Sequence, residues 1–146
     1  MAYTIKKVEV WAGDFINRPG MLARVLEALT QAGAQLELLI GRQVTQKTSR
    51  IYVAPLKGKK QKEVANEVGL VPAIGMHALR VEGPDRRGLG AEMSRAVADA
   101  GINIRGVTGA TIGRKSVFYL GFRTAIEAQN ATRSLRKVLR RGRSRR

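Results

Sequence analysis

The sequence predicts an α+β protein made of two copies of a β-α-β-β-α unit, with antiparallel sheets and the helices on one face. Three observations predict it. First, Arg18-Pro19-Gly20-Met21-Leu22 opens a helical pattern that ends at Ala32-Gly33-Ala34-Gln35-Leu36. Sixty-eight residues later, Arg86-Arg87-Gly88-Leu89-Gly90 opens another, ending at Ala100-Gly101-Ile102-Asn103-Ile104. Without a gap, this offset sets Gly20 on Gly88, Ala23 on Ala91, Ala28 on Ala96 and Gly33 on Gly101. Second, strand and helix periodicities alternate in the same order in both halves. Third, 44% of the 146 residues are hydrophobic, enough to build a core in one ordinary domain or two very small ones. A period this long does not belong to the common solenoid repeats.

In the first copy, Ile5 to Trp11 alternates, with Val8 and Val10 set against Lys7 and Glu9, as a strand does. Gly13 to Pro19 collects Gly, Asp, Asn and Pro and reads as a loop. Pro19 suits a first helical turn, where a missing N–H is no loss. Leu22, Val25, Leu26 and Leu29 follow helical spacing, and Gly33 ends the run. Gln35 to Gly41 and Arg50 to Ala54 read as strands, and Lys59 to Val68 as a short helix stopped by Gly69. The second copy repeats the order. Ile74 to Val81 is a strand, Gly83 to Gly88 a loop, and Leu89, Met93, Val97 and Ala100 a helical stripe. Ile102 to Ile112 and Ser116 to Phe122 read as strands, and Ala125 to about Arg140 as the last helix. Gly106, Gly109 and Gly113 read as strand irregularities or close backbone approaches. Arg141 to Arg146 is expected to fray.

This order is ferredoxin-like but lacks a clear final strand in either copy. The stretch Leu70 to Val81 can serve twice, closing the first unit and opening the second. Nothing comparable follows the last helix, so one sheet edge is expected to lie unpaired and to recruit a partner chain, which predicts a homodimer. The expected division is residues 1–70, residues 71–140 and a basic tail, 141–146.

Composition narrows the function. With no cysteine, disulfides and thiolate metal sites are excluded, and a reducing compartment fits. No apolar run approaches a membrane span and Met1 to Lys7 lacks a signal-peptide pattern, so the expectation is a soluble cytoplasmic protein. The formal net charge of +16 is uneven: residues 133–146 carry eight Arg or Lys and no acid. A second cluster is Lys57, Lys59, Lys60 and Lys62. Such a tail either contacts phosphates or an acidic partner, or serves as a solubilising end.

Asn17-Arg18-Pro19-Gly20-Met21-Leu22 after a strand, Ala32-Gly33-Ala34-Gln35-Leu36 after the helix, and their second-copy equivalents resemble those of tandem ACT-domain proteins. Asp85-Arg86-Arg87-Gly88 is similar to the family's Asp-Arg-Pro-Gly form, with Arg87 in place of the proline. The resemblance covers about residues 3–140. It implies non-catalytic regulatory modules on a ferredoxin-like sandwich, binding an amino acid or similar small effector where two ACT-like units pair. It also implies a regulated enzyme or regulator as partner, and no cofactor. Carried over by position, the ligand contacts are Asn17, Arg18, Gly20 and Gln35 in the first copy, and Asp85, Arg86, Gly88 and Asn103 in the second.

The chemistry of these residues suits that role. A loop entering a helix N-terminus offers free N–H groups and a positive dipole to a carboxylate. Glycine lets a ligand approach the backbone, Asp85 can pair with an ammonium group, and Asn or Gln both donates and accepts. Asn, Asp and Gly are equally ordinary turn formers before helices. The copies diverge where a ligand would sit, Asn17 against Asp85, Pro19 against Arg87 and Gln35 against Asn103, so one copy can bind while the other only pairs.

Enzyme readings fare poorly. His77 is the lone histidine and falls in a strand, and the acids are scattered. Zinc binding would need carboxylates alone. Gly109 to Ser116 lacks the P-loop spacing and precedes a strand. The alternative is a nucleic-acid- or ribonucleoprotein-associated module that contacts phosphates through Arg136, Lys137, Arg140, Arg141, Arg143, Arg145 and Arg146. Aromatic residues make up only 5%, so base stacking is thinly supplied.

Overall fold

The computed structural model describes the backbone of residues 3–144 and the side chains of residues 3–140. The order is β1 (Thr4–Ile16), α1 (Met21–Gln31), β2 (Leu38–Gln43), β3 (Thr48–Ala54), α2 (Gly58–Val68), β4 (Val71–Pro84), α3 (Leu89–Asp99), β5 (Gly106–Ile112), β6 (Lys115–Phe122) and α4 (Ala125–Ser144). The chain divides into two compact units, Glu9–Ile74 and Met1–Val8 with Gly75–Arg146. The expected cut at residue 70 put the N-terminal segment with the first copy; its contacts place it with the second.

That placement answers the missing-strand problem. β4 contributes Val71–Ile74 to one unit and Gly75–Pro84 to the other, as its double use predicts. β1 is likewise divided after Val8. Strand order in the Glu9–Ile74 unit is β2-β3-β1-β4, and in the other β5-β6-β4-β1. The expectation that nothing fills the place of a fourth strand after the last helix is therefore corrected, because Thr4–Val8 supplies that strand beside β4, while β5 remains an edge. Tyr3 marks the join: its hydroxyl donates to the Pro84 carbonyl at 2.6 Å. The sequence hid this because the completing strand precedes its unit by some seventy residues.

In the Glu9–Ile74 unit, Trp11 faces Val53 across the β1–β3 ladder, and Ile51 sits two residues away on the same strand face. Val25 and Leu29 of α1 and Ala65 of α2 close over that face, with Leu56 and Leu70 at its ends. In the other unit, Leu79 faces Leu120 across β4–β6. Val81 and Phe122 share the core with Met93 and Val97 of α3 and with Ala131 and Leu135 of α4. Each helix pair thus lies on one sheet face, because the helices carry apolar stripes and the strands alternate.

Several boundaries differ from expectation. β1 runs to Ile16 and β4 to Pro84, into stretches expected as loop. β2 begins at Leu38 and β5 at Gly106, so Gln35 and Asn103 precede their strands. Apolar alternation starts before the ladder does: Leu36 and Ile104 pack on the cores from irregular segments. The first cross-strand bonds are Glu37 N–H to Ala54 O and Arg105 N–H to Gly121 O, both 2.8 Å. At the other end, α4 continues to Ser144, where fraying was expected from Arg141. Arginine is a good helix former, and cations suit a helix C-terminus. Arg145 and Arg146, and the side chains of Arg141 and Arg143, lie outside the described residues. No helix among the described residues is long and apolar enough to cross a membrane.

Candidate functional site

The loops entering α1 and α3 are built alike. In the first copy, the Asn17 N–H donates to the Lys47 carbonyl at 2.7 Å and its Nδ2 to the Gln46 carbonyl at 3.2 Å. Ser49 Oγ donates to Asn17 Oδ1 at 3.1 Å. In the second copy, the Asp85 N–H donates to the Arg114 carbonyl at 2.8 Å, and Ser116 Oγ donates to Asp85 Oδ1 at 2.6 Å. Each loop is thereby tied to a turn of its own unit, β2–β3 in the first copy and β5–β6 in the second. Gly20 and Gly88 stand at the helix N-caps with φ 87° and 78°, a region that other L-residues avoid. Neither helix has a side-chain cap; the Met21 and Leu89 N–H groups donate back to the Arg18 and Arg86 carbonyls at 3.3 Å, and the N–H groups that follow them are left to solvent or to a ligand.

Beyond this common frame the copies part. A cleft of about 270 Å³ opens beside the first loop. Asn17, Arg18, Arg42 and Gln43 line it with Met21, Leu22 and Ile51. Its walls carry two arginines and no acid, and the first turn of α1 holds no acid either. The helix dipole and both guanidinium groups therefore favour an anion there. Apolar surface from Met21 and Leu22 lies within the same cleft.

The second loop is filled by its own side chains. Arg86 Nη2 donates to Glu92 Oε2 at 2.7 Å, and Glu92 lies in the first turn of α3. The Arg86 guanidinium lies 5.7 Å from the Tyr3 ring centroid, its side chain is 12% exposed, and its buried Nε has no partner. Asp85 is held by Ser116, with the Thr111 hydroxyl 3.4 Å from the same oxygen.

The structure brings Asn17 and Arg18 together in the first cleft, with Gly20 at the adjoining N-cap. It does not bring Gln35 to them. Gln35 is exposed beyond the C-terminus of α1, and that eleven-residue helix spans about 16 Å at 1.5 Å per residue. Asn103 is similarly exposed beyond α3, at the end opposite Asp85, Arg86 and Gly88. Sequence reasoning missed Ser49, Ser116 and Arg42. The two serines are detectable as a repeat only after allowing a one-residue gap, since the ungapped offset sets Ser49 on Val117.

Other candidates fall away from the site. His77 is exposed on β4, opposite Phe122. No group of three or more His, Cys, Asp or Glu among the described residues could hold a metal ion. In the basic cluster on α2, Lys59 lies 3.9 Å from Glu63, one turn on.

Residues 77–141 match the family model described as ACT domain, a stretch that starts within β4 and takes in α3, β5, β6 and most of α4. No curated protein sequence matches the chain. Among solved structures, the protein is similar to BT0572 from Bacteroides thetaiotaomicron, with a TM-score of 0.77 at 11% identity over 91% of this chain and 89% of that one. It is also similar to the ligand-free regulatory subunit of aspartate kinase from Thermus thermophilus, with a TM-score of 0.67 at 18% identity over 94% and 97%. The Thermus flavus regulatory subunit of aspartate kinase gives 0.60 at 20% identity over the same shares. At such identities the likeness is one of fold.

Proposed function

We propose that the chain is a non-catalytic, ligand-sensing regulatory protein of two tandem ACT-like units, acting in the cytoplasm. It binds an amino acid or similar small carboxylate effector and passes the signal to a regulated enzyme. The ACT-domain match and the fold shared with regulatory subunits of aspartate kinase support a regulatory role. One observation carries the site: the uncapped N-terminus of α1 opens beside a cleft with Arg18 and Arg42, Met21 and Leu22, and no acid. Arg18 and the free N–H groups take the carboxylate, Asn17 and Gln43 orient the remaining polar group, and Met21 and Leu22 cover an apolar side chain.

The first copy is the binding copy and the second is the pairing one. Glu92 already satisfies Arg86 at the start of α3, and Ser116 holds Asp85. Gln35 stands a helix length from Asn17, so it reaches an effector only from another ACT-like module. A second copy of the chain supplies that module, which makes the working form a homodimer.

Isothermal titration of the folded chain against the standard amino acids tests this reading. Binding of one or a few, weakened by Arg18→Ala, is expected. Absence of heat with every amino acid would count decisively against it.

A further inference from the structure

A second cleft, of about 300 Å³, lies in the other unit between β1 and α4. Ile5, Lys7 and Leu79 line the strand side, and Gln129, Thr132, Arg133 and Arg136 the helix side. Lys6 also borders it. Lys7 falls on the same strand face as Ile5, which packs on the core under α4. None of Lys6, Lys7, Arg133 and Arg136 makes an ion pair among the described residues, and no acid lines the cleft. Four unneutralised cations thus border one concave surface from two elements.

The row also continues. Arg133, Arg136 and Arg140 are exposed and follow i, i+3, i+7 spacing, a single helical stripe about 10 Å long. Residues 128–146 contain no acid to interrupt it. A compact anion would need only the cleft. A linear row leaving the cleft along a helix fits a polymer of regularly spaced negative charges.

We propose that this cleft and the α4 stripe bind the phosphodiester backbone of single-stranded nucleic acid. Lys7, Arg133 and Arg136 contact phosphates and Arg140 extends the track. No aromatic side chain lines the cleft, so recognition is by charge and not by base stacking, and is indifferent to sequence. The site lies in a different unit from the effector cleft and does not depend on that assignment.

The test is fluorescence anisotropy with a short labelled oligouridylate, followed across roughly 50 to 200 mM salt, the range over which phosphate contacts show themselves. Arg133→Glu with Arg136→Glu is compared with Lys59→Glu plus Lys60→Glu on α2, which changes the net charge equally. Circular dichroism checks folding, and Arg133→Gln with Arg136→Gln gives a milder pair of the same sense. We expect the cleft pair to weaken binding at least tenfold and the α2 pair to change it less than twofold. The plot of log affinity against log salt should flatten by about 1.4, at roughly 0.7 per lost single-strand phosphate contact. Equal losses from the two pairs would overturn the proposal. So would loss on removing residues 141–146 with no effect of the cleft pair. Inorganic phosphate or tripolyphosphate that occupies the cleft without competing with the oligonucleotide would also overturn it.

Discussion

Ser116 Oγ donates to Asp85 Oδ1 at 2.6 Å, as Ser49 does to Asn17 Oδ1 at 3.1 Å. The same clamp therefore holds the helix-entry loop in both copies, with a carboxylate in one and an amide in the other. The energetics differ accordingly. Ser116 is 1% exposed and meets a charge, whereas Ser49 meets a neutral amide in an exposed setting. Ser116→Ala is expected to cost about 1–2 kcal/mol, in the range for a hydrogen bond to a charged group whose partner water still reaches. Ser49→Ala should cost less than about 0.5 kcal/mol, as for surface changes. Urea midpoints of the two variants check the order; a larger loss from Ser49→Ala would contradict it.

The clamp also explains how far the sequence could be read. The helices and their entry loops were legible because apolar spacing, Gly20 and Gly88 are local signals. So was the double use of the segment that became β4. The fourth strand that Thr4–Val8 gives the Gly75–Arg146 unit was not legible, since pairing across some seventy residues leaves no periodic trace. At the site, Asn17 and Arg18 were found by position and do line a cleft. Gln35 and Asn103 were placed in strands because Leu36 and Ile104 continue the apolar alternation, yet both side chains stand a helix length from their loops.

Arg18 and Arg86 occupy equivalent positions but have different surroundings. Arg18 lines an open cleft, whereas Arg86 is engaged by Glu92 and stacked on Tyr3. Arg18→Ala is therefore expected to weaken effector binding by roughly tenfold or more, the loss of one charge-assisted hydrogen bond, with little change in stability. Arg86→Ala should leave effector affinity within about twofold and lower stability by about 1–2 kcal/mol, through lost packing and an unpaired Glu92. Calorimetric titration and thermal unfolding of both variants separate the two roles.

Two carboxylates contribute to the acid sensitivity of the fold. The Arg50 guanidinium, bonded to Asp14 at 2.7 and 3.1 Å, holds that carboxyl below its ordinary value. Arg80 chiefly, with Lys115 at 3.5 Å, does the same for Glu82. Both groups bind a proton more readily in the unfolded chain. Their contribution is present in full above the ordinary carboxylate values of 3.8 and 4.5 and is lost as pH falls through the lower folded values. Stability should thus be flat from neutral pH down to about 5 on their account and decline below. Arg50→Met should make that decline shallower, and salt should weaken the Asp14 contribution because the pair is exposed. Unfolding midpoints measured from pH 7 to 3 in low and high salt test both statements.

Gly13 of β1 faces a different constraint, set by backbone and not by charge. A Cβ built there would lie 2.4 Å from the Gly69 carbonyl oxygen and 3.0 Å from the Phe15 ring. Phe15 can turn aside, but the carbonyl belongs to the chain entering β4 and moves only with its backbone. Gly13→Ala is therefore expected to destabilise the Glu9–Ile74 unit by about 1–3 kcal/mol, the usual cost of overpacking a close contact. Gly41→Ala on β2 is the matched control, because its Cβ would meet nothing within 4 Å. A strand alanine there should be neutral or slightly stabilising through the unfolded chain. Denaturant midpoints should fall for Gly13→Ala alone; equal midpoints would mean that β1 and the chain at Gly69 do not approach this closely in solution.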